Sequence, residues 1–354
     1  MLHMPSHIDM RDGDYASSVR SNAMAVALPL CRHAYPQHNM ESLLWSARMA
    51  DDLEVSLDVA KQLAAHATAT CHARVDEAGM SCERFTSQLL LTLVHFEMWD
   101  DIQMKHRGPP PSEFRYWRAV WLFAQGMAAT RGSGSTRHAD TTSGMPNLDQ
   151  AGRMIAASRW LALLQSQRGE VERAPAAWTY ASLVQLVAIY EHVLRAEIML
   201  LDEIRTAKDA VAELEMALLQ QTLIPYDEPP ALYRSVRPRL ADILMRLNDT
   251  NSARAILRAE LYEYPNQPFL AAKCARLGPP RCGGGAEQLV AESHADVSPR
   301  VLHLRVFPIC IALVTIFLLV LSLCAVFLDK ADWVPSGDRH TPSLLSSARG
   351  TALC

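Results

Sequence analysis

His3 and His7 stand four residues apart, a separation that puts two imidazoles on one face of a helix and lets both reach a single metal ion. His33 and His38 follow in the same stretch, and Asp9 and Asp12 offer carboxylates that could orient a ligating ring from behind. No HExxH pair occurs, so no metalloprotease motif is present. Histidines packed between helices are the commoner outcome, and on sequence alone neither a metal nor another cofactor is expected. Asn22 and Asn39 carry side-chain amides that could hold the backbone of a bound peptide, or cap a helix or turn; they are the candidate partner-binding residues. Asp227 and Glu228 form a carboxylate pair, but Pro225, Pro229 and Pro230 around them read as a rigid turn rather than an acid–base site. Gly283, Gly284 and Gly285 lack the Lys-Ser/Thr that a phosphate-binding loop needs. No catalytic residue stands out.

The elements that must position these residues are helical. Apolar residues recur at helical spacing in Glu41–Met49, Phe85–Phe96, Trp117–Ala128, Met154–Leu164 and Ala181–Leu201. Short breaks at Asp12-Gly13, Arg107–Pro111 and Asn248-Asp249 separate such segments, and period-two β-branched runs are scarce. An all-α array of antiparallel helix pairs is expected over residues 1–277, with a Gly/Ser/Thr-rich flexible insert at 131–147. The eight cysteines contain no C-x-x-C pair, and Cys71-His72 with Cys82 gives only three donors at irregular spacing, so reduced thiols are expected.

Residues 306–328, VFPICIALVTIFLLVLSLCAVFL, contain no charge. As a helix they would span about 34 Å, enough for a hydrocarbon core of about 30 Å. Arg305 precedes Val306, Asp329 and Lys330 follow Leu328, and Trp333 sits where an interfacial anchor would. The expected layout is therefore a helical body, a flexible Gly/Pro-containing linker at 278–305, a membrane span at 306–328 and a short disordered tail at 329–354. Basic residues flank the span almost equally, so charge does not set its orientation. No earlier segment reads as a targeting signal, which points to a tail-anchored, single-pass protein with a cytosolic body. Thirty-four basic against 38 acidic side chains give no support for nucleic acid as a partner.

Repeat spacing sharpens the fold. Ala241, Leu244, Ala253, Leu257 and Pro265 follow the small–large–small–large–Pro order of a tetratricopeptide repeat, with Arg237 in place of the usual early aromatic. More specific phrases run through residues 3–277. They are His3-Met4-Pro5-Ser6-His7-Ile8, Gly13-Asp14-Tyr15 with Asn22, and Tyr35-Pro36-x-x-Asn39. Further on come Trp99-Asp100-Asp101-Ile102, Tyr116-x-Arg118-Ala119-x-Trp121 and Pro225-Tyr226-Asp227-Glu228-Pro229-Pro230. In these the chain resembles a broad group of largely uncharacterised tetratricopeptide-repeat-domain proteins. The resemblance implies an α-solenoid and no known reaction. Against the group's pattern, this chain starts where its members are already under way, carries the 131–147 insert and adds the apolar span.

Solenoids of helix pairs commonly hold peptides or partner helices on an extended concave surface. The expected function is thus a membrane-anchored scaffold or adaptor for a protein or peptide partner. The alternatives are a metal-binding or enzymatic helical-repeat protein using the N-terminal histidines, or a truncated family member with little activity of its own.

Overall fold

A computed structural model describes residues 2–28, 36–71, 79–131, 148–173, 178–202 and 207–278. Among the described residues every regular element is an α-helix. The first seven are α1 (Pro5–Asp12), α2 (Tyr15–Val26), α3 (Pro36–Met49), α4 (Leu53–Cys71), α5 (Gly79–Thr86), α6 (Gln88–His95) and α7 (Trp99–Lys105). There follow α8 (Arg115–Arg131), α9 (Gln150–Glu172), α10 (Trp178–Met199), α11 (Ala207–Thr222), α12 (Arg237–Arg246), α13 (Thr250–Glu263) and α14 (Pro268–Arg276). The all-α expectation is met.

Local chemistry accounts for the boundaries. Asp14 and Asp249 cap α2 and α13, each carboxylate accepting from the backbone N–H three residues on at 3.0 Å. The residues just before them, Gly13 and Asn248, take positive φ and turn the chain out of α1 and α12. Each pair of helices is joined by a turn of two or three residues and packs together, as a helical hairpin must. Ala241, Ala253 and Leu257 are fully buried and Leu244 nearly so, which puts the repeat-spaced residues at the α12–α13 contact. Prolines open α1, α12 and α14, where a missing N–H costs nothing.

Packing follows chain order over long stretches: α1 on α2, α2 on α3, α3 on α4, then α8 on α9, α10 on α11 and α12 on α13. α8 also packs on α10, and the main core runs from Leu90 on α6 to Leu270 on α14. In a linear stack of repeats each unit touches only its neighbours. Here the first hairpin also meets the last. Asn266 donates to the Asp12 carbonyl at 3.3 Å, and Trp45 on α3 lies 5.8 Å from Tyr264 at the end of α13. Met10, Tyr15, Trp45 and Met49 form a small separate core under that contact.

One boundary differs from the sequence reading. The helix expected over Phe85–Phe96 is two, broken at Ser87, whose hydroxyl donates to the Arg84 carbonyl and competes with the helical ladder. The insert falls between α8 and α9, which pack on each other; residues 132–147 lie outside the described residues. So do 279–354, with the linker, the 306–328 span bounded by Val306 and Leu328, Trp333 and the tail. No helix among the described residues is long and apolar enough to cross a membrane.

Glu83 on α5 caps a helix from another part of the chain. Its Oε2 accepts from the backbone N–H groups of Tyr116 and Trp117 in the first turn of α8, at 2.5 and 3.0 Å. Burial pushes its carboxyl up to about 7, against the pull of those N–H donors and that of Arg115. A carboxyl raised on folding contributes stability that is complete below its unfolded value and is lost as pH rises through the folded one. Glu83→Gln, which keeps an acceptor and cannot ionise, should therefore gain on the wild type by up to about 3 kcal/mol between pH ~4.5 and pH ~8. Urea titrations of both proteins across that range check it; parallel pH curves would refute it.

Candidate functional site

His3 lies in the bend before α1, His7 in the first turn of α1 and His38 near the start of α3. α1 rests on α2 and α2 on α3, so the three rings converge. One ring nitrogen from each lies within 4.8 Å of the other two. His3 Nε2 and His38 Nε2 are 3.0 Å apart, and the ring centres of His3 and His7 are separated by 4.6 Å. Each ring is half-buried.

The outward nitrogens are fixed by neighbours. His3 Nδ1 donates at 2.6 Å to the amide oxygen of Asn22, which also accepts from Ser6 at 3.3 Å. His7 Nδ1 donates at 2.9 Å to Oε2 of Glu228, whose other oxygen accepts from Arg11 at 3.0 Å. An amide oxygen and a carboxylate only accept, so both rings carry a proton on Nδ1, and His3, its charge disfavoured by burial, accepts at Nε2 from His38 Nε2 across the 3.0 Å contact. Burial lowers the pKa of His3, opposed by the Asn22 bond; it lowers that of His38 as well, helped by His3 and His7.

Behind the triad stands a charged layer. Arg84 bonds Glu41 at 2.7 Å and Asp227 at 2.5 Å, so one guanidinium joins α3, α5 and the 225–230 segment. Burial alone disfavours its charge, but the two carboxylates outweigh that and raise its pKa. Glu41 is raised by burial against the pull of Arg84.

Several sequence readings are revised here. Pro5 opens α1, so His3 and His7 are brought together across a bend and not on one face of a helix. The carboxylate behind His7 is neither Asp9 nor Asp12 but Glu228, 221 residues away. The Pro-rich segment around it is a turn, as expected, with a cis Glu228–Pro229 bond. It also fastens the N-terminal hairpin. Asn22 is fully buried and its amide is engaged by His3, Ser6 and Ser18, so it supports the triad and is out of reach of a bound peptide. Asn39 is half-buried on α3. His33, and the side chains of Cys71, His72 and Cys82, lie outside what is described. Nothing local in the sequence points to Glu228. Its pairing with His7 exists only once the chain is folded.

A second feature was not foreseen. A cavity of about 990 Å³ opens between α8, α10, α12 and α14. Phe123 stacks on Tyr190 at 4.7 Å, and Tyr233 stands 6.1 Å from Tyr190, giving it an aromatic wall. Six cationic side chains line it against four carboxylates. Arg131 and Arg239 both bond the buried Glu197, at 2.8 Å each through one nitrogen, and Lys273 pairs with Asp242. Burial pushes the Glu197 carboxyl up, but the two guanidiniums outweigh it and hold its pKa below the ordinary carboxylate range. No ion pair among the described residues uses Arg234, Arg246 or Arg276, which also line the cavity.

No protein-family description matches the chain, and neither curated proteins nor solved structures give a match.

Proposed function

We propose that the chain is a tetratricopeptide-type scaffold that holds an acidic peptide segment of a partner protein in the α8–α10–α12–α14 cavity, with residues 306–328 tethering it to a membrane. The cationic surplus of that cavity carries the reading. Arg234, Arg246 and Arg276 face it, none of them used by an ion pair among the described residues, and Arg131 and Arg239 share one carboxylate. A peptide carboxylate would meet guanidinium donors there in charge-assisted bonds. The aromatic wall of Phe123, Tyr190 and Tyr233 offers surface for apolar side chains. About 990 Å³ accommodates several residues of an extended peptide, being at the upper end of ordinary ligand pockets. The repeat-like hairpins and the uncharged span support the scaffold and the tether in turn. No reaction is part of this reading.

The test uses the full chain in detergent and fluorescent peptides rich in Asp and Glu, beside the same peptides with Asn and Gln. Anisotropy should show binding of the acidic set only, weakening as salt rises. A chain carrying Arg234→Glu, Arg246→Glu and Arg276→Glu should lose at least 10-fold in affinity, which is about 1.4 kcal/mol. Equal binding of acidic and neutral peptides, or none of either, would overturn the proposal.

A further inference from the structure

We propose that His3, His7 and His38 form a centre for a divalent first-row transition metal such as zinc, with a fourth coordination position left open. The distances suit it. Two imidazole nitrogens on one tetrahedral metal at about 2.0–2.1 Å are about 3.3 Å apart. His3 Nε2 and His38 Nε2 stand at 3.0 Å, and the third histidine has a nitrogen within 4.8 Å of both. Small ring tilts close the set.

The neighbours carry the argument beyond proximity. Histidines that ligate metals almost always donate their other ring N–H to a carboxylate, carbonyl or similar acceptor, which fixes the tautomer and aims the lone pair. His7 does so to Glu228 and His3 to Asn22. Both acceptors are themselves held, Glu228 by Arg11 and Asn22 by Ser6. Such bonds satisfy the rings in any packing; here they also set two of them in the orientation a ligand needs. Three protein nitrogens on half-buried rings are the donor set of zinc sites that bind water or a substrate atom, whereas structural sites close with four protein ligands. The centre lies apart from the arginine-lined cavity, so failure of either proposal leaves the other standing.

The experiment takes the full chain, purified without a histidine tag, stripped with chelator and dialysed. Zinc titration calorimetry should give one site per chain, and cobalt should give the visible absorption of a four-coordinate nitrogen site. Stoichiometric zinc should also remain on protein prepared without chelator. His7→Ala and His38→Ala should lose that site. Glu228→Gln keeps all three ligands and should weaken zinc by about 10- to 100-fold through the outer bond alone. Helical circular dichroism of each stripped variant shows whether it folds, and if the histidine variants do not, Glu228→Gln and the wild-type titration decide. No stoichiometric zinc in the wild type, or zinc held equally by wild type, His7→Ala and Glu228→Gln, would overturn the assignment.

Discussion

Glu197→Ala is expected to destabilise the protein by about 3 kcal/mol, the low end of what removing one partner of a buried ion pair costs. Glu197 is 3% exposed and accepts from Arg131 on α8 and Arg239 on α12, so one carboxylate on α10 joins three helices. Alanine leaves two guanidiniums facing each other beside the cavity, both without the carboxylate they bond. Each is about a quarter exposed, at 27% and 21%, and water reaching them keeps the effect at the low end. The cause can be separated from loss of volume. Adding Arg131→Met and Arg239→Met to Glu197→Met should recover much of the loss, because a matched apolar set carries no uncompensated charge. Urea titrations of the single and triple variants measure this; equal losses would show that Glu197 acts by packing. The lowered pKa of Glu197 adds a pH signature. A carboxyl depressed on folding contributes stability above its unfolded value and loses it as pH falls through the folded one. The wild type should thus converge with Glu197→Ala under acid.

The helices were legible because their signals are local. Asp14, Asp249 and the first-turn prolines act within four residues, and the Ala241/Leu244/Ala253/Leu257 pattern needs only helical geometry to place it at a contact. The break at Ser87 was not legible, since the apolar spacing of Phe85–Phe96 runs straight through it. Half of the histidine site could be read. The spacing of His3 and His7 marked the place, but His38 joins them only through the packing of α1, α2 and α3. Glu228 comes from a turn whose prolines looked like its whole purpose. The residue type of Asn22 allows a peptide-binding amide or a cap or turn role, and burial removes the first. The cavity could not be read at all. Its arginines lie on α8, α12, α14 and the segment before α12, each an ordinary residue in its own sequence context.

Gly13→Ala is expected to cost about 2–4 kcal/mol, a large effect for one methyl group on an eight-residue helix. Two causes add. Gly13 has φ +73°, where an L side chain is strained by at least about 1 kcal/mol. The added Cβ would also stand 2.5 Å from the Pro265 carbonyl oxygen and 2.8 Å from its carbon. Those are backbone atoms and cannot rotate aside. Gly278 provides the control: its φ of +66° is nearly the same, with nothing within 4 Å of a Cβ. Gly278→Ala should cost about 1 kcal/mol from strain alone, and the difference between the variants isolates the clash. Relief of the clash must separate the α1–α2 turn from residues 264–266, the contact through which the first hairpin meets the last. α1 also carries His7 and Arg11, both bonded to Glu228. Gly13→Ala should therefore raise amide hydrogen exchange in residues 5–12 and weaken zinc binding together, while Gly278→Ala changes neither. Exchange that rises with zinc affinity intact would mean that the triad is held by α2 and α3 alone. Equal stability of the two variants would remove the close approach of Gly13 to Pro265 as the cause.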